Sequence, residues 1–217
     1  MDAVLYARTM TKEKELLIIF TKVPELGKAK TRLAADIGDE QALEVYRQLL
    51  AHTRRITLPL SQDKVVYYTP YIATDDQWEA GEFHKALQPE GDLGKRMRFA
   101  FAEGFTQGYS RICIIGTDCL DLTTEYVNQA FETLREHDVV LGPSQDGGYY
   151  LLGMNRLHPQ LFANKNWSTE SVADDTRRDI EQQNLSLKEL PVLNDIDTID
   201  DLKQSPLGQK YVNKVIE

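Results

Sequence analysis

Short apolar runs recur along the chain, and stretches of mixed polarity separate them. Leu16 to Phe20 is the clearest run, and runs of this length are typical of strands buried in a parallel sheet. The pattern predicts strands at residues 16–20, 64–69, 112–115, 138–142 and 149–153, with weaker ones at 83–87 and 185–193. A strong turn signal separates the runs at 138–142 and 149–153, so we expect these two strands to pair with each other in antiparallel fashion.

The stretches between the runs have the spacing of amphipathic helices. One helix is predicted from Asp39 to about Arg54, with Tyr46 on its apolar face. Further helices are predicted at about 94–105, 124–136 and 170–183, from Ile199 onward, after His158, and as a short element within 70–82, while 21–32 is predicted as loop. Strands that alternate with helices predict an α/β fold, here a single three-layer α/β/α domain with a mostly parallel mixed sheet.

Length and composition narrow the class of protein. The 217 residues suit one domain, which we place at 15–217 after an N-terminal extension at 1–14. No apolar run is long enough to cross a bilayer, and residues 1–14 carry no apolar segment of a signal peptide, so a cytoplasmic protein is expected. The net charge of −9 argues against partners such as nucleic acid or an anionic membrane. Cys113 and Cys119 have no histidines at zinc-site spacing and are expected to act as small apolar residues.

The run at 112–115 ends abruptly in Gly116-Thr117-Asp118. Open α/β sheets bind ligands at the carboxyl ends of their strands, so Asp118 is the first candidate for chemistry. Mg²⁺ binds through one or two carboxylates together with substrate oxygens and water. Asp121 could be a second metal ligand, or it could cap the helix that begins near Thr123 or Thr124.

A basic loop follows the first predicted strand. Lys22, Lys28, Lys30 and Arg32 lie within a short stretch of an otherwise acidic protein. Arginine forms paired hydrogen bonds with phosphate, and lysine acts as a flexible point charge, so the loop fits a di- or triphosphate. The alternative is a solvated basic loop. The pattern of a Walker loop is absent.

Two further motifs contain carboxylates beside turn signals. In the first, Asp146 precedes Gly147 and Gly148, which form a tight turn and whose amides could face an acceptor pocket together with the Asp146 side chain. In the second, either Asp197 or Thr198 is expected to cap the last predicted helix, unless a carboxylate of this motif reaches a metal.

Taken together, these motifs resemble a known family. The stretch from Phe20 to Leu33 resembles the opening motif of bacterial glycosyltransferase-like proteins that were long catalogued as a domain of unknown function, some of them labelled as arsenosugar-biosynthesis glycosyltransferases. The remaining motifs follow in the order of the family, at 91–97, 116–119, 142–153, 167–169 and 195–198, so the resemblance covers roughly 15–203. Leu120 stands where the family often has proline, and Asp118 and Asp121 replace the Asp-x-Asp of many glycosyltransferases.

The resemblance implies the nucleotide-diphospho-sugar transferase (GT-A) fold and a set of site residues. Nucleotide would bind over the first half of the sheet and contact Lys22, Gly27, Lys28, Lys30, Arg32, Gly94, Arg96 and Thr117. Mg²⁺ or Mn²⁺ would be held by Asp118, Asp121 and Asp197. The acceptor would contact Gly147, Gly148, Trp167, Ser168 and Thr169, and the catalytic groups would be Asp118, Asp146 and Lys30.

These features predict a metal-dependent transferase that joins a nucleotide-activated donor to a small-molecule acceptor. Glycosyl transfer is preferred on the resemblance. One alternative is a nucleotidyltransferase that joins an NTP to a phosphorylated small molecule. The other is a non-catalytic domain that binds a nucleotide or a partner, since a fold by itself does not determine activity.

Overall fold

Residues 13–211, which the computed structural model describes, contain a seven-stranded sheet. Its strands are β1 (Glu15–Lys22), β2 (Asp63–Thr69), β3 (His84–Leu87), β4 (Arg111–Ile115), β5 (Val139–Pro143), β6 (Tyr149–Met154) and β7 (Leu187–Glu189). Their order across the sheet is β3-β2-β1-β4-β6-β5-β7. β6 runs antiparallel to both of its neighbours, and the other pairings are parallel. The mostly parallel mixed sheet and its antiparallel element are therefore confirmed.

Helices connect most of the strands. They are α1 (Thr31–Ile37), α2 (Asp39–Thr57), α3 (Leu93–Thr106), α4 (Thr124–Thr133), α5 (Val172–Gln182), α6 (Ile199–Gln204) and α7 (Gly208–Tyr211), with a 3₁₀ helix at Pro159–Phe162. None of the helices in this part of the chain is long and apolar enough to cross a membrane.

The alternation of side chains along β1 divides the core into two layers. Leu17 and Ile19 are buried on one face of the sheet, together with apolar residues of α2 and α4. Leu16 and Ile18 are buried on the other face, against α3 and α5. Because strand side chains alternate between the two faces, a run that is apolar throughout needs helices on both sides. This is the predicted three-layer α/β/α arrangement.

A third apolar cluster positions the ligand edge of the sheet. Leu33 of α1 packs with Ile196 and with Leu202 of α6, and the three side chains are almost fully buried. This contact joins the segment after β1 to the segment before α6. The basic loop and the Asp197 motif are therefore held side by side.

Three local predictions were wrong. The predicted loop at 21–32 ends in α1, a helix whose two buried residues, Leu33 and Ile37, are too few to give a readable period. The short helix predicted within 70–82 is absent. This segment forms turns around the Asp76 carboxylate, which accepts hydrogen bonds from the Tyr68 hydroxyl and the Trp78 backbone N–H. The last strand, predicted at 185–193, is confined to β7.

The predicted domain boundaries stay a prediction. Of the extension predicted at residues 1–14, all but the last two residues lie outside the described residues.

Candidate functional site

A cleft of about 660 Å³ opens at the carboxyl ends of β1 and β4. Parallel strands present their carboxyl ends at one edge of the sheet, which is where open α/β sheets bind ligands. The lining includes nine of the residues that the sequence selects: Lys22, Lys28, Lys30, Arg32, Arg96, Thr117, Asp118, Ser168 and Asp197. The structure therefore brings the basic loop and the motifs of Asp118 and Asp197 to one surface.

An ion pair between Lys30 and Asp118 lies at the centre of this lining. Lys30 has a left-handed backbone conformation (φ 48°, ψ 49°) directly before α1, and its side chain is only 6% exposed. Its Nζ donates to Asp118 Oδ2 at 2.7 Å and lies 3.6 Å from Asp197 Oδ1. One ammonium thus faces carboxylates from two motifs that are far apart in the sequence.

The second oxygen of each carboxylate has a different partner. Asp118 Oδ1 accepts the backbone N–H of Thr117 at 3.0 Å. Asp197 Oδ2 accepts from the Arg32 guanidinium at 2.8 Å. Both carboxylates are therefore oriented so that their remaining oxygens point to the same position, which the Lys30 ammonium occupies.

The ionisation of the pair follows from these contacts. Burial by itself raises the pKa of Asp118, but the Lys30 ammonium and the Thr117 N–H outweigh it and hold the pKa below its ordinary value. Burial by itself lowers the pKa of Lys30, but Asp118 and Asp197 outweigh it and hold that pKa above its ordinary value. Both groups are charged at neutral pH.

Helix caps settle two alternatives that the sequence leaves open. The Thr123 side chain caps α4, so the capping role considered for Asp121 is wrong, and Asp121 is exposed and outside the cleft lining. Thr198 caps α6 through a capping box with Asp201, so Asp197 is not the cap. The Asp197 side chain is thus available to the two cations described above.

The sequence does not single out two residues of the site, Asp195 and Tyr46. Asp195 lies beside the pair: burial, then the charges of Asp118 and Asp146, raise its pKa to about 7. Its Oδ1 is buried without a hydrogen-bond partner among the described residues. Its position two residues before Asp197 is the signal that could have identified it.

The second is Tyr46, which the helical pattern assigns simply to the core. Its hydroxyl accepts the backbone N–H of Lys22 at 3.0 Å and lies 3.4 Å from the hydroxyl of Thr117. Tyr46 thereby joins the end of β1 to the segment after β4. No signal in the apolar pattern of α2 distinguishes it from its neighbours.

Three other residues predicted to contact nucleotide are Lys28, Gly94 and Gly27. Lys28 pairs with Glu25 at 2.8 Å and is largely exposed. Gly94 is buried against Trp167, so close that a methyl group on Gly94 would lie 2.3 Å from the indole. Gly27 lies in the exposed loop and is outside the cleft lining.

The turn between β5 and β6 holds two of the predicted acceptor residues, Gly147 and Gly148, together with Asp146. Asp146 accepts from the Ser144 hydroxyl at 2.5 Å and from the Gly148 N–H at 2.9 Å. Gly147 packs against the backbone before α5, and Thr169 donates to the carbonyl of Asn166. Of the predicted acceptor residues, Ser168 lines the cleft, and Gly147, Gly148, Trp167 and Thr169 lie outside its lining.

The donor set fits a divalent cation that is shared with a substrate. Within residues 13–211 no group of three or more His, Cys, Asp or Glu side chains is arranged to hold a metal ion. Asp118 and Asp197 nevertheless direct one oxygen each to a common position. Two carboxylates completed by substrate oxygens and water are the usual ligands of Mg²⁺ in phosphate-binding enzymes.

Comparison with solved structures defines the class of the fold. A provisionally assigned nucleotide-diphospho-sugar transferase from Desulfovibrio desulfuricans G20 is 28% identical, with a TM-score of 0.84, and the match covers 94% of this chain and 97% of that one. CMP:2-keto-3-deoxy-manno-octonic acid synthetase, solved with CTP, is 10% identical, with a TM-score of 0.55 and coverage of 93% and 100%. Rv0371c of Mycobacterium tuberculosis H37Rv, solved with manganese, is 12% identical, with a TM-score of 0.53 and coverage of 90% and 98%. The protein therefore has the nucleotide-diphospho-sugar transferase fold that its motifs predict.

Within that class, the family is shown by the sequence. The chain belongs to the DUF2064 family, described as an uncharacterized protein conserved in bacteria, and the match covers residues 53–169. No curated protein matches the sequence.

Proposed function

We propose that this protein is a metal-dependent transferase that uses a nucleotide-activated donor, and that glycosyl transfer from a nucleotide sugar is its reaction. The observation that carries the proposal is the position of Lys30 between Asp118 and Asp197 at the ligand edge of the sheet. Two carboxylates that can share a cation lie in one cleft with several basic side chains. Together these groups can bind a diphosphate and its metal ion. The similarity to a nucleotide-diphospho-sugar transferase supports the same class.

The donor diphosphate is assigned to the basic side of the cleft. Lys22, Lys30, Arg32 and Arg96 line it, and Arg32 and Arg96 can form paired hydrogen bonds with phosphate oxygens. Thr117 lies next to Asp118 and adds a hydroxyl at the end of β4. These donors would stabilise the negative charge that builds on the departing nucleoside diphosphate.

Asp118 and Asp197 would hold Mg²⁺ or Mn²⁺. A divalent ion there would screen the diphosphate and assist departure of the leaving group. The manganese complex of Rv0371c, a protein of the same fold, supports this choice of metal. Asp121 is not included, because its side chain lies outside the cleft lining.

The acceptor is assigned to the side of the cleft formed by β6 and the segment around Ser168. Tyr149 and Ser168 line this side. In the proposed reaction an acceptor hydroxyl attacks the anomeric carbon of the sugar, the bond from that carbon to the diphosphate oxygen breaks, and a base takes the hydroxyl proton. Asp146 lies outside the cleft lining but at the same edge of the sheet, because β6 begins beside the end of β4, and it is the proposed base for an acceptor that extends to this turn. The Gly147–Gly148 turn and the 167–169 segment would shape this pocket.

Nucleotidyl transfer is the second candidate, and the basic side chains of the cleft favour it. A triphosphate carries more negative charge than a diphosphate and would engage more of these groups. The fold of the synthetase solved with CTP supports this alternative. Here an acceptor phosphate oxygen would attack the α-phosphorus, and pyrophosphate would leave.

Titration calorimetry with GTP, CTP, UDP-glucose and GDP-mannose, with and without Mn²⁺, tests the donor site. The proposal expects at least one of them to bind more tightly with Mn²⁺, and expects Asp118→Asn to remove that metal dependence. Asp200→Asn is the matched control, because Asp200 is exposed and pairs with the nearby Lys203 at 3.3 Å. Absence of binding by every donor at millimolar concentration would refute both enzyme proposals.

The released product separates the two reactions. Nucleoside diphosphate released in the presence of candidate acceptors would support glycosyl transfer, and pyrophosphate would support nucleotidyl transfer. Metal-dependent binding without either product would favour the non-catalytic alternative.

A further inference from the structure

We propose that the Lys30 ammonium occupies the metal position in the free protein and moves to the donor phosphates when they arrive, so that metal and donor strengthen each other's binding. The inference rests on the proposed function, because it takes Asp118 and Asp197 as the metal ligands. It adds to that function that the protein binds divalent metal weakly until the donor is present.

One oxygen of each carboxylate faces the Lys30 ammonium. Asp118 uses Oδ1 for the Thr117 N–H, and Asp197 uses Oδ2 for Arg32. The two remaining oxygens, Asp118 Oδ2 and Asp197 Oδ1, lie 2.7 and 3.6 Å from the same Lys30 Nζ. A metal ion that bridged these oxygens would lie where the ammonium now lies.

The charge of Lys30 opposes metal binding at this position. A divalent ion within bonding distance of Asp118 would be only a few ångströms from the Lys30 ammonium, and like charges at that distance repel strongly in a partly buried site. In the free protein the ammonium also offsets the mutual repulsion of Asp118 and Asp197, since it lies 2.7 Å from Asp118 Oδ2 and 3.6 Å from Asp197 Oδ1. Metal binding without a substitute partner for Lys30 would therefore leave a buried cation uncompensated.

The donor phosphates provide this substitute partner for Lys30. Lys30 lines the same cleft as Lys22, Arg32 and Arg96, so a diphosphate held by those residues would lie within reach of its flexible four-carbon side chain. Release of Lys30 then frees two carboxylate oxygens for the metal. Because coupling between two ligands is reciprocal, the metal must raise the affinity for phosphate by the factor by which phosphate raises the affinity for the metal.

Titration of Mn²⁺ alone, followed by the electron paramagnetic resonance signal of the free ion, tests the inference. Lys30→Met, which keeps the unbranched shape and most of the length of the side chain and removes its charge, is expected to bind Mn²⁺ about tenfold more tightly than the native protein, within the usual range of coupling. Lys203→Met is the control, because Lys203 is exposed, pairs with Asp200 and lies outside the cleft lining. Its Mn²⁺ affinity should equal that of the native protein. An unchanged or weaker Mn²⁺ affinity of Lys30→Met would overturn the inference.

A measurement on the native protein removes any dependence on the folding of the variant. Inorganic pyrophosphate is the probe, since it carries the diphosphate without a nucleobase or a sugar. The Mn²⁺ affinity of the native protein should rise about tenfold at saturating pyrophosphate, after correction for the complex that the two form in solution. An unchanged affinity would refute the coupling. Metal-dependent donor binding together with equal Mn²⁺ affinities of Lys30→Met and the native protein would leave the proposed function standing while the inference fails.

Discussion

Gly147, in the turn between β5 and β6, offers the sharpest test of the structure at the acceptor side. Its φ is +84°, and a methyl group on its Cα would lie 1.9 Å from the carbonyl oxygen of Glu170. That oxygen belongs to the backbone and cannot rotate away. The Gly147 carbonyl also accepts the N–H of Ala173 at 2.9 Å, near the start of α5. Gly147→Ala must therefore separate the turn from α5.

The size of the effect can be assembled from two contributions. A left-handed conformation costs an alanine about 1 kcal/mol relative to glycine. Displacement of the turn also breaks the hydrogen bond to Ala173 and loosens the local packing, and these losses together cost about 2 kcal/mol. We expect Gly147→Ala to lower the free energy of unfolding by about 3 kcal/mol, measured by urea denaturation followed by circular dichroism.

Gly108→Ala is the control for the first contribution. Gly108 has a φ of +87°, almost the same as that of Gly147, but a methyl group there would meet nothing within 4 Å. It should lose only about 1 kcal/mol. If the two variants lose equal stability, the contact between the turn and Glu170 is not as the structure has it, and the reasoning is refuted.

Three further predictions concern other parts of the fold. Gly94→Ala should displace the Trp167 indole, shift its fluorescence and cost about 1–3 kcal/mol in urea denaturation, and an unshifted spectrum would contradict the close contact. Tyr46→Phe should lower the free energy of unfolding by about 1–3 kcal/mol, because the last backbone N–H of β1 loses its acceptor. A variant that unfolds at the same urea concentration as the native protein would refute this. Hydrogen bonds from Ser186 lower the pKa of Asp138. The ionised Asp138 side chain therefore stabilises the fold above the ordinary carboxyl pKa, and this contribution is lost as the pH falls through the lowered pKa of Asp138. Asp138→Asn should flatten the acid limb of the stability profile, and an unchanged limb would exclude this contribution.

The sequence predicts the sheet well because buried parallel strands are apolar throughout. Leu16 to Phe20 needs no partner information to be recognised as such a strand, and β1 extends it only to Glu15 and Lys22. α1 was missed because a two-turn helix with two buried residues has no period to detect. Its formation depends on packing against Ile196, which is a contact distant in sequence.

The site is predictable in its parts and unpredictable in its pairings. The end of an apolar strand identifies Asp118, and a charge count identifies the basic loop. Which lysine of that loop meets Asp118 depends on the left-handed turn at Lys30 and on α1, and neither is visible in the sequence. The role of Thr198 as the cap, which leaves Asp197 to the cations, likewise needed the geometry of α6.

The pairing of Arg32 with Asp197 joins residues 165 positions apart, and it has a consequence for synthesis of the protein. A ribosome that has released β1 to β6 has delivered most of the sheet, but the carboxylate that completes the cation position is still to come. Closing so long a loop also carries a large entropic cost, which favours late formation of this contact in folding. Nascent chains and C-terminally truncated fragments that lack Ile196 and Asp197 would thus lack both the packing that holds α1 and half of the proposed metal site until α6 docks.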